Sequence, residues 1–293
     1  MIKPFEYLRP TSIKEAVILG KTYGAEAKYI AGGTDVIVGM KNNPQESPRF
    51  LITLCYLQEK LNSFKVENGE LIIGALTTHR ELEKSALIKK DYQVLHDAVS
   101  KVGSVQIRNV GTIGGNICSS LPSADTASPL LALGAKLKVS GADGERIIPL
   151  EDFYLGPGQN ILNKEDILTE IIVPAKSPLT AGAYNKLGRR GAMELAMAGA
   201  AVYLEMDKNL DLCLNARVAL TTSAPVPMLA KQAAKELIGK QITPDSLAKA
   251  GKAAAQEASP RTSFRTTAEY RRDVIPVLVR RSGLTALERI KGK

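Results

Sequence analysis

Gly111-Thr112-Ile113-Gly114-Gly115-Asn116, read beside Ala31-Gly32-Gly33-Thr34-Asp35 roughly 80 positions earlier, decides how this chain folds and what it holds. Glycine lets a backbone reach positive φ and lets N–H groups approach a ligand closely. Successive N–H groups in such turns form an anion-binding nest suited to phosphate. Each loop follows a β-like stretch, so the expectation is two nests gripping the two phosphates of one dinucleotide from different sides. Thr34, Thr112 and Asn116 add short polar side chains able to bond phosphate or ribose oxygens. A Gly-Gly pair after a strand also serves as a plain tight turn, and either loop alone fits that role. No GxxxxGK[ST] run exists and neither loop reads GxGxxG, which excludes P-loop and Rossmann readings. Asp125, nine residues past the second loop, fits either a cap for a helix over residues 126–133 or an acceptor for ribose or ribityl hydroxyls.

Working outward, Ser12-Ile13-Lys14-Glu15 is a capping box opening a helix that Gly24 ends. Residues 28–30, 51–54 and 71–75 read as strands. Thr78-His79-Arg80-Glu81 is a second capping box, and a further helix is expected over 91–102. Residues 135–140 and 146–150 flank Ala142-Asp143-Gly144, a hairpin signal. Ile167 to Val173 is a strand ended by Pro174, and the domain boundary is placed just after it. Beyond it, strands at about 197–206 and 210–220 meet at Asp207-Lys208-Asn209. Helices follow at about 228–238, 244–257 and 267–289, with Pro276 expected to kink or start a helix. Strands and helices are segregated, so the fold class is α+β.

Composition narrows the function. The 293 residues are 44% apolar and 24% charged, an ordinary globular balance, and no apolar run is long enough to span a bilayer. The start lacks an apolar signal core, so a cytoplasmic protein is expected. Three scattered cysteines (Cys55, Cys118, Cys213) cannot form a four-cysteine cluster site, and two histidines make a His-based metal site a poor fit. Residues 1–175 carry 19 Lys+Arg against 20 Asp+Glu, whereas 176–293 carry 20 against 10. Trp is absent and aromatics are 5%, poor material for stacking nucleic-acid bases, so the basic half reads as a solvated face or a surface for an acidic subunit.

The loops, in order with Arg108-Asn109-Val110 before the second and Pro122-Ser123-Ala124-Asp125 after it, resemble a known family. So do Asn185-Lys186-Leu187-Gly188-Arg189-Arg190-Gly191-Ala192-Met193-Glu194-Leu195-Ala196, Ala268-Glu269-Tyr270-Arg271-Arg272 and Val277-Leu278-Val279-Arg280-Arg281. The chain is similar to the FAD-binding (medium) subunit of molybdenum hydroxylases of the xanthine dehydrogenase and carbon monoxide dehydrogenase type. The resemblance implies a two-subdomain FAD-binding fold (PCMH/vanillyl-alcohol-oxidase-like) over residues 1–175, with subdomains about 1–56 and 57–175. A C-terminal α+β domain over 176–293 follows. It implies FAD extended between the subdomains, touched by Tyr29, Ile30, Ala31, Gly32, Gly33, Thr34, Asp35 and Val36 on the first side. Thr112, Ile113, Gly114, Gly115, Asn116 and Asp125 would touch it on the second. Leu168 matches a position packing near the flavin, Val102 a weaker contact, and Lys186 a basic residue beside the isoalloxazine ring.

The implied role is oxidoreductase electron transfer. A large molybdopterin subunit would oxidise substrate, a small [2Fe-2S] iron-sulfur subunit would pass the electrons on, and FAD would deliver them to NAD+ or another acceptor. The extra iron–sulfur cluster that some relatives carry on this subunit is excluded by the cysteine count. A stand-alone FAD-dependent reductase of the same flavin fold, enolpyruvyl-nucleotide-sugar reductase-like, is the alternative. A basic module binding RNA or an acidic protein is the third reading.

Overall fold

In the computed structural model, which describes residues 2–292, the Ser12 hydroxyl accepts the Glu15 N–H at 3.1 Å and opens α1 (Ile13–Tyr23). The Glu15 carboxylate reaches one residue further back than a capping box requires and accepts the Thr11 N–H at 2.7 Å. Gly24, with φ 46°, ends the helix. This helix joins β1 (Glu6–Leu8) to β2 (Ala27–Ile30). Both strands pair in parallel with β3 (Phe50–Thr53), in the order β1-β3-β2. The first glycine loop leaves β2 and enters α2 (Val36–Asn42). Ala16, Val17, Ile52 and Leu57 close a small core under this sheet.

After α3 (Gln58–Leu61) come β4 (Phe64–Glu67) and β5 (Glu70–Gly74). A run of short helices follows: α4 (His79–Lys84), α5 (Ala86–Asp91), α6 (Gln93–Val99), α7 (Val105–Val110), α8 (Ile113–Cys118) and α9 (Ala127–Ala132). Thr78, Ser85, Ser104 and Thr112 each cap one of them through the side-chain oxygen. The hairpin β6 (Lys136–Gly141) and β7 (Gly144–Pro149) comes next, then a two-stranded ribbon of β8 (Tyr154–Gly156) and β9 (Gln159–Asn160). Last in sequence is β10 (Ile167–Val173), yet it is central in the antiparallel order β4-β5-β10-β6-β7. Leu71, Ile73, Val99, Ile113, Leu137 and Ile171 are enclosed in its core, each contributing roughly 1.5–3 kcal/mol by burial.

The remaining strands are β11 (Thr180–Leu187), β12 (Ala198–Met206), β13 (Cys213–Thr221) and β14 (Met228–Leu229), antiparallel in that order. One face carries α10 (Lys231–Lys235), α11 (Pro244–Glu257) and α12 (Ala268–Lys291). The other face meets α6 and α9 through Tyr184, Ala201 and Ala219, so the third sheet is sandwiched between two helical layers. The mixture of segregated sheets and helices is the expected α+β class.

Four local readings change. The helix expected over 91–102 is α6 alone, because Tyr92 leaves helical geometry (φ −129°, ψ 50°) to bury its ring beneath the Lys176 ammonium, 4.5 Å away. Residues 228–238 hold a two-residue strand and one helical turn rather than a continuous helix. Pro276 does not start a helix but lies inside α12, which is packed on α11, β11 and β12. The strand β11 carried no signal, since Thr180-Ala181-Gly182-Ala183 lacks the β-branched run that marks strands.

Candidate functional site

The two glycine loops meet. A Cβ on Gly32 would lie 1.9 Å from the Val110 carbonyl oxygen and 2.9 Å from the Gly111 Cα, so only glycine lets the first loop seat against the entry to the second. Beside this junction runs a cleft of about 1250 Å³, beyond the roughly 300–1,000 Å³ of ordinary small-ligand pockets and suited to an extended ligand. Its walls come from the parallel sheet, the ends of β5 and β10 and the segments 121–125 and 193–195.

The first loop is a nest. The N–H groups of Gly32, Gly33, Thr34, Asp35 and Val36 have no acceptor among the described residues. The second loop departs from expectation. It follows α7 rather than a strand, folds as the first turn of α8, and its amides from Ile113 to Asn116 are taken. The Ile113 N–H donates to the Thr77 carbonyl (2.9 Å), Gly114 to the Ala75 carbonyl (2.9 Å), Gly115 to the Thr112 hydroxyl (3.1 Å) and Asn116 to the Thr112 carbonyl (3.0 Å). A Cβ on Gly114 would fall 2.6 Å from the Ala75 carbonyl oxygen, so this glycine serves close packing onto the β5 end. Besides the Thr112 N–H, which has no acceptor among the described residues, what the second loop offers a ligand is side chains. Thr112 lines the cleft, and so does Asn116, whose Oδ1 accepts the Thr126 hydroxyl (2.5 Å) and leaves its amide N–H groups without a protein acceptor.

Of the residues singled out from sequence, Tyr29, Ala31, Gly32, Gly33, Thr34, Asp35, Val36, Val102, Thr112, Gly114, Gly115, Asn116, Asp125 and Leu168 line the cleft. Ile30, Ile113 and Lys186 do not. Ile30 packs beneath Gly33, and Ile113 is enclosed in the core. Tyr29 is a tie rather than an open donor: its hydroxyl bonds the Ala16 and Glu165 carbonyls at 2.9 and 3.1 Å, joining α1 to the loop before β10.

Asp125 does not cap α9, whose N-cap is Thr126. Its carboxylate instead accepts the Lys186 ammonium at 2.7 Å and the Tyr184 hydroxyl at 3.0 Å. The Lys186 ammonium also donates to the Lys101 carbonyl at 3.0 Å. Both partners of this ion pair are buried. Burial pushes the Asp125 carboxyl above the usual carboxylate range, and Lys186 opposes that shift. Lys186 therefore stands behind Asp125, which itself borders the cleft, and its charge reaches a ligand through that carboxylate. Cys118 also borders the cleft, but burial pushes its thiol up to about 12, leaving it unreactive.

Several wall residues carried no signal of their own. Lys28, Arg49 and Lys164 place cations along the part of the wall near β2, while Leu121, Met193 and Leu195 make an exposed apolar rim beside Asp125. His79, read only as part of a capping box, lies against Gly111. Met193 sits at φ 52°, its N–H bonded to the Gly103 carbonyl, in a stretch that sequence could flag only through its resemblance.

Residues 3–176 match the family model of the FAD binding domain in molybdopterin dehydrogenase, and residues 182–286 match the CO dehydrogenase flavoprotein C-terminal domain. The chain is 32% identical to the carbon monoxide dehydrogenase medium chain of Hydrogenophaga pseudoflava, covering 96% of this chain and 97% of that one. It is 30% identical to the xanthine dehydrogenase FAD-binding subunit of Escherichia coli O157:H7, over 98% and 97%. Among solved structures it superposes with a TM-score of 0.94, at 32% identity and 99% coverage of both chains. That structure is the carbon monoxide dehydrogenase from Hydrogenophaga pseudoflava lacking the Mo-pyranopterin moiety of its cofactor.

Proposed function

The chain belongs to the FAD-binding subunits of molybdenum hydroxylases of the carbon monoxide and xanthine dehydrogenase type, and from that membership we propose how its cleft works. The carrying observation is the row of acceptorless N–H groups from Gly32 to Val36 facing a long cleft. Such a row suits the diphosphate of FAD, and the close seating of Gly32 on Val110 brings Thr112 and Asn116 to the same place. Bound there, FAD would supply a centre that accepts and releases electrons singly or in pairs. In this reading Asp125 holds ribityl or ring hydrogen-bond donors, and the Lys186 ammonium behind it sets the local charge. Leu168 and Val102 supply apolar contact, and the rim at Leu121, Met193 and Leu195 excludes water.

Residues 1–175 serve as the flavin domain, with subdomains about 1–56 and 57–175, and 176–293 as its C-terminal companion. Electrons come from a large molybdopterin subunit through a small [2Fe-2S] subunit and leave to NAD+ or another acceptor in the cytoplasm. One fact supports placing the metals elsewhere: among the described residues no group of three His, Cys, Asp or Glu could hold a metal ion. Among the same residues no helix is long and apolar enough to cross a membrane. Reconstitution tests the reading: the purified chain should take up about one FAD. Its native assembly should carry iron and molybdenum on co-purifying subunits. A lone chain active without them would favour the stand-alone reductase, and a folded chain refusing FAD would end the flavin reading.

A further inference from the structure

We propose that His79 donates a hydrogen bond from Nε2–H to the diphosphate of the ligand in the cleft, as a member of the phosphate cradle. The inference rests on the flavin reading above. His79 is 2% exposed and lines the cleft. Its backbone N–H donates to the Gly111 carbonyl at 3.0 Å, which fixes the residue at the junction of the two glycine loops. A Cβ built on Gly111 would lie 3.5 Å from the His79 Cδ2 and 3.7 Å from the Thr34 Oγ1, so the ring and the acceptorless first loop flank the same point.

The two ring nitrogens differ. Nδ1 is fully enclosed and has no hydrogen-bond partner. Nε2 is not enclosed in this way and bonds no group among the described residues, so it is the nitrogen left to the cleft. A proton on Nδ1 would be a buried donor without an acceptor, costing roughly 1–3 kcal/mol, whereas a bare lone pair there is the cheaper state. The proton therefore belongs on Nε2, facing the ligand. Without ligand the ring is uncharged at neutral pH: burial, aided by the Arg108 guanidinium, lowers its titration to about 4. Arg108 is itself held by the Glu83 carboxylate at 2.9 Å, so its charge is not free to serve the ligand. A neutral donor grips phosphate oxygens without placing a buried imidazolium beside the cleft.

The test uses the full chain, which holds two histidines, so His96→Gln assigns the spectrum. Nitrogen-15 spectra of the FAD-free protein at neutral pH should show His79 protonated on Nε2. Adding FAD, or ADP as the diphosphate probe, should shift that N–H signal, and riboflavin, which lacks phosphate, should leave it in place. In titrations by flavin fluorescence, His79→Phe should weaken FAD binding about tenfold, the loss of one net hydrogen bond. His79→Gln, which keeps an N–H donor, should stay within about threefold. A proton on Nδ1, a signal indifferent to ADP, or His79→Phe binding FAD like the parent would overturn the proposal. If the parent chain binds no FAD, the flavin reading falls and this contact with it. If the parent binds FAD and only the His79 results fail, the contact alone is wrong.

Discussion

The two glycine loops use the same letters for opposite ends. In the first, Gly32 lets the chain seat on Val110, and the five N–H groups that follow stay unused. In the second, Gly114 seats on Ala75, and every amide from Ile113 to Asn116 already has an acceptor in the protein. One loop is a receptor and the other a wall that presents side chains. The difference teaches that a glycine pair reports a close approach, while the fate of the neighbouring N–H groups decides whether that approach serves a ligand or the fold.

Paired substitutions are the strongest way to break this comparison. Gly114→Ala drives a Cβ into the Ala75 carbonyl and should remove about 3 kcal/mol of stability. The FAD affinity of the molecules that remain folded should stay within a few-fold. Gly32→Ala should instead weaken FAD binding at least a hundredfold, about 2.7 kcal/mol, by prising the loops apart. Thermal melts and flavin titrations on both variants check this, and if Gly114→Ala loses affinity without losing stability the contrast collapses.

Next in size is acid sensitivity beneath the wall. His79 titrates near 4 in the folded chain against 6.5 ordinarily, so between those values the unfolded chain binds a proton that the folded chain refuses. Stability from this group is complete above 6.5 and falls as pH drops, by about 2 kcal/mol at pH 5. Urea melts at pH 7 and pH 5 should show the loss, and His79→Gln should remove that slope.

The smallest effect is expected at the hydroxyls. Thr112→Ala deprives the Gly115 N–H of its cap and should cost about 1 kcal/mol of stability, readable as a lower melting temperature. Thr34→Ala removes no bond within the protein, so its melting temperature should hold while FAD binding weakens a few-fold. Equal stability losses at both threonines would erase the distinction between receptor and wall.

What sequence could read follows the same division. Ser12, Thr78 and the apolar run of β10 act through neighbours in the chain, so their elements were legible. The pairing of Asp125 with Lys186 spans 61 positions and exists only once β11 lies beside α9, so sequence could offer Asp125 two roles and found neither partner. The second loop misled for a similar reason. Its Ile113 and Gly114 amides are claimed by the carbonyls of Thr77 and Ala75, distant in sequence and silent in any local pattern. Resemblance carried the family and the cofactor, while the burial of His79 at the junction of the two loops depends on contacts that no local pattern shows.

The placement of β10 has a consequence for biogenesis. The middle strand of the five-stranded sheet is the last of them to leave the ribosome, so β5 and β6 keep bare backbone edges until residue 173 has emerged. Nascent chains halted before that point expose two templates for illicit pairing, and the flavin cradle has no complete floor to rest on. Truncations ending near residue 160 should therefore aggregate more readily than chains extended past Pro174.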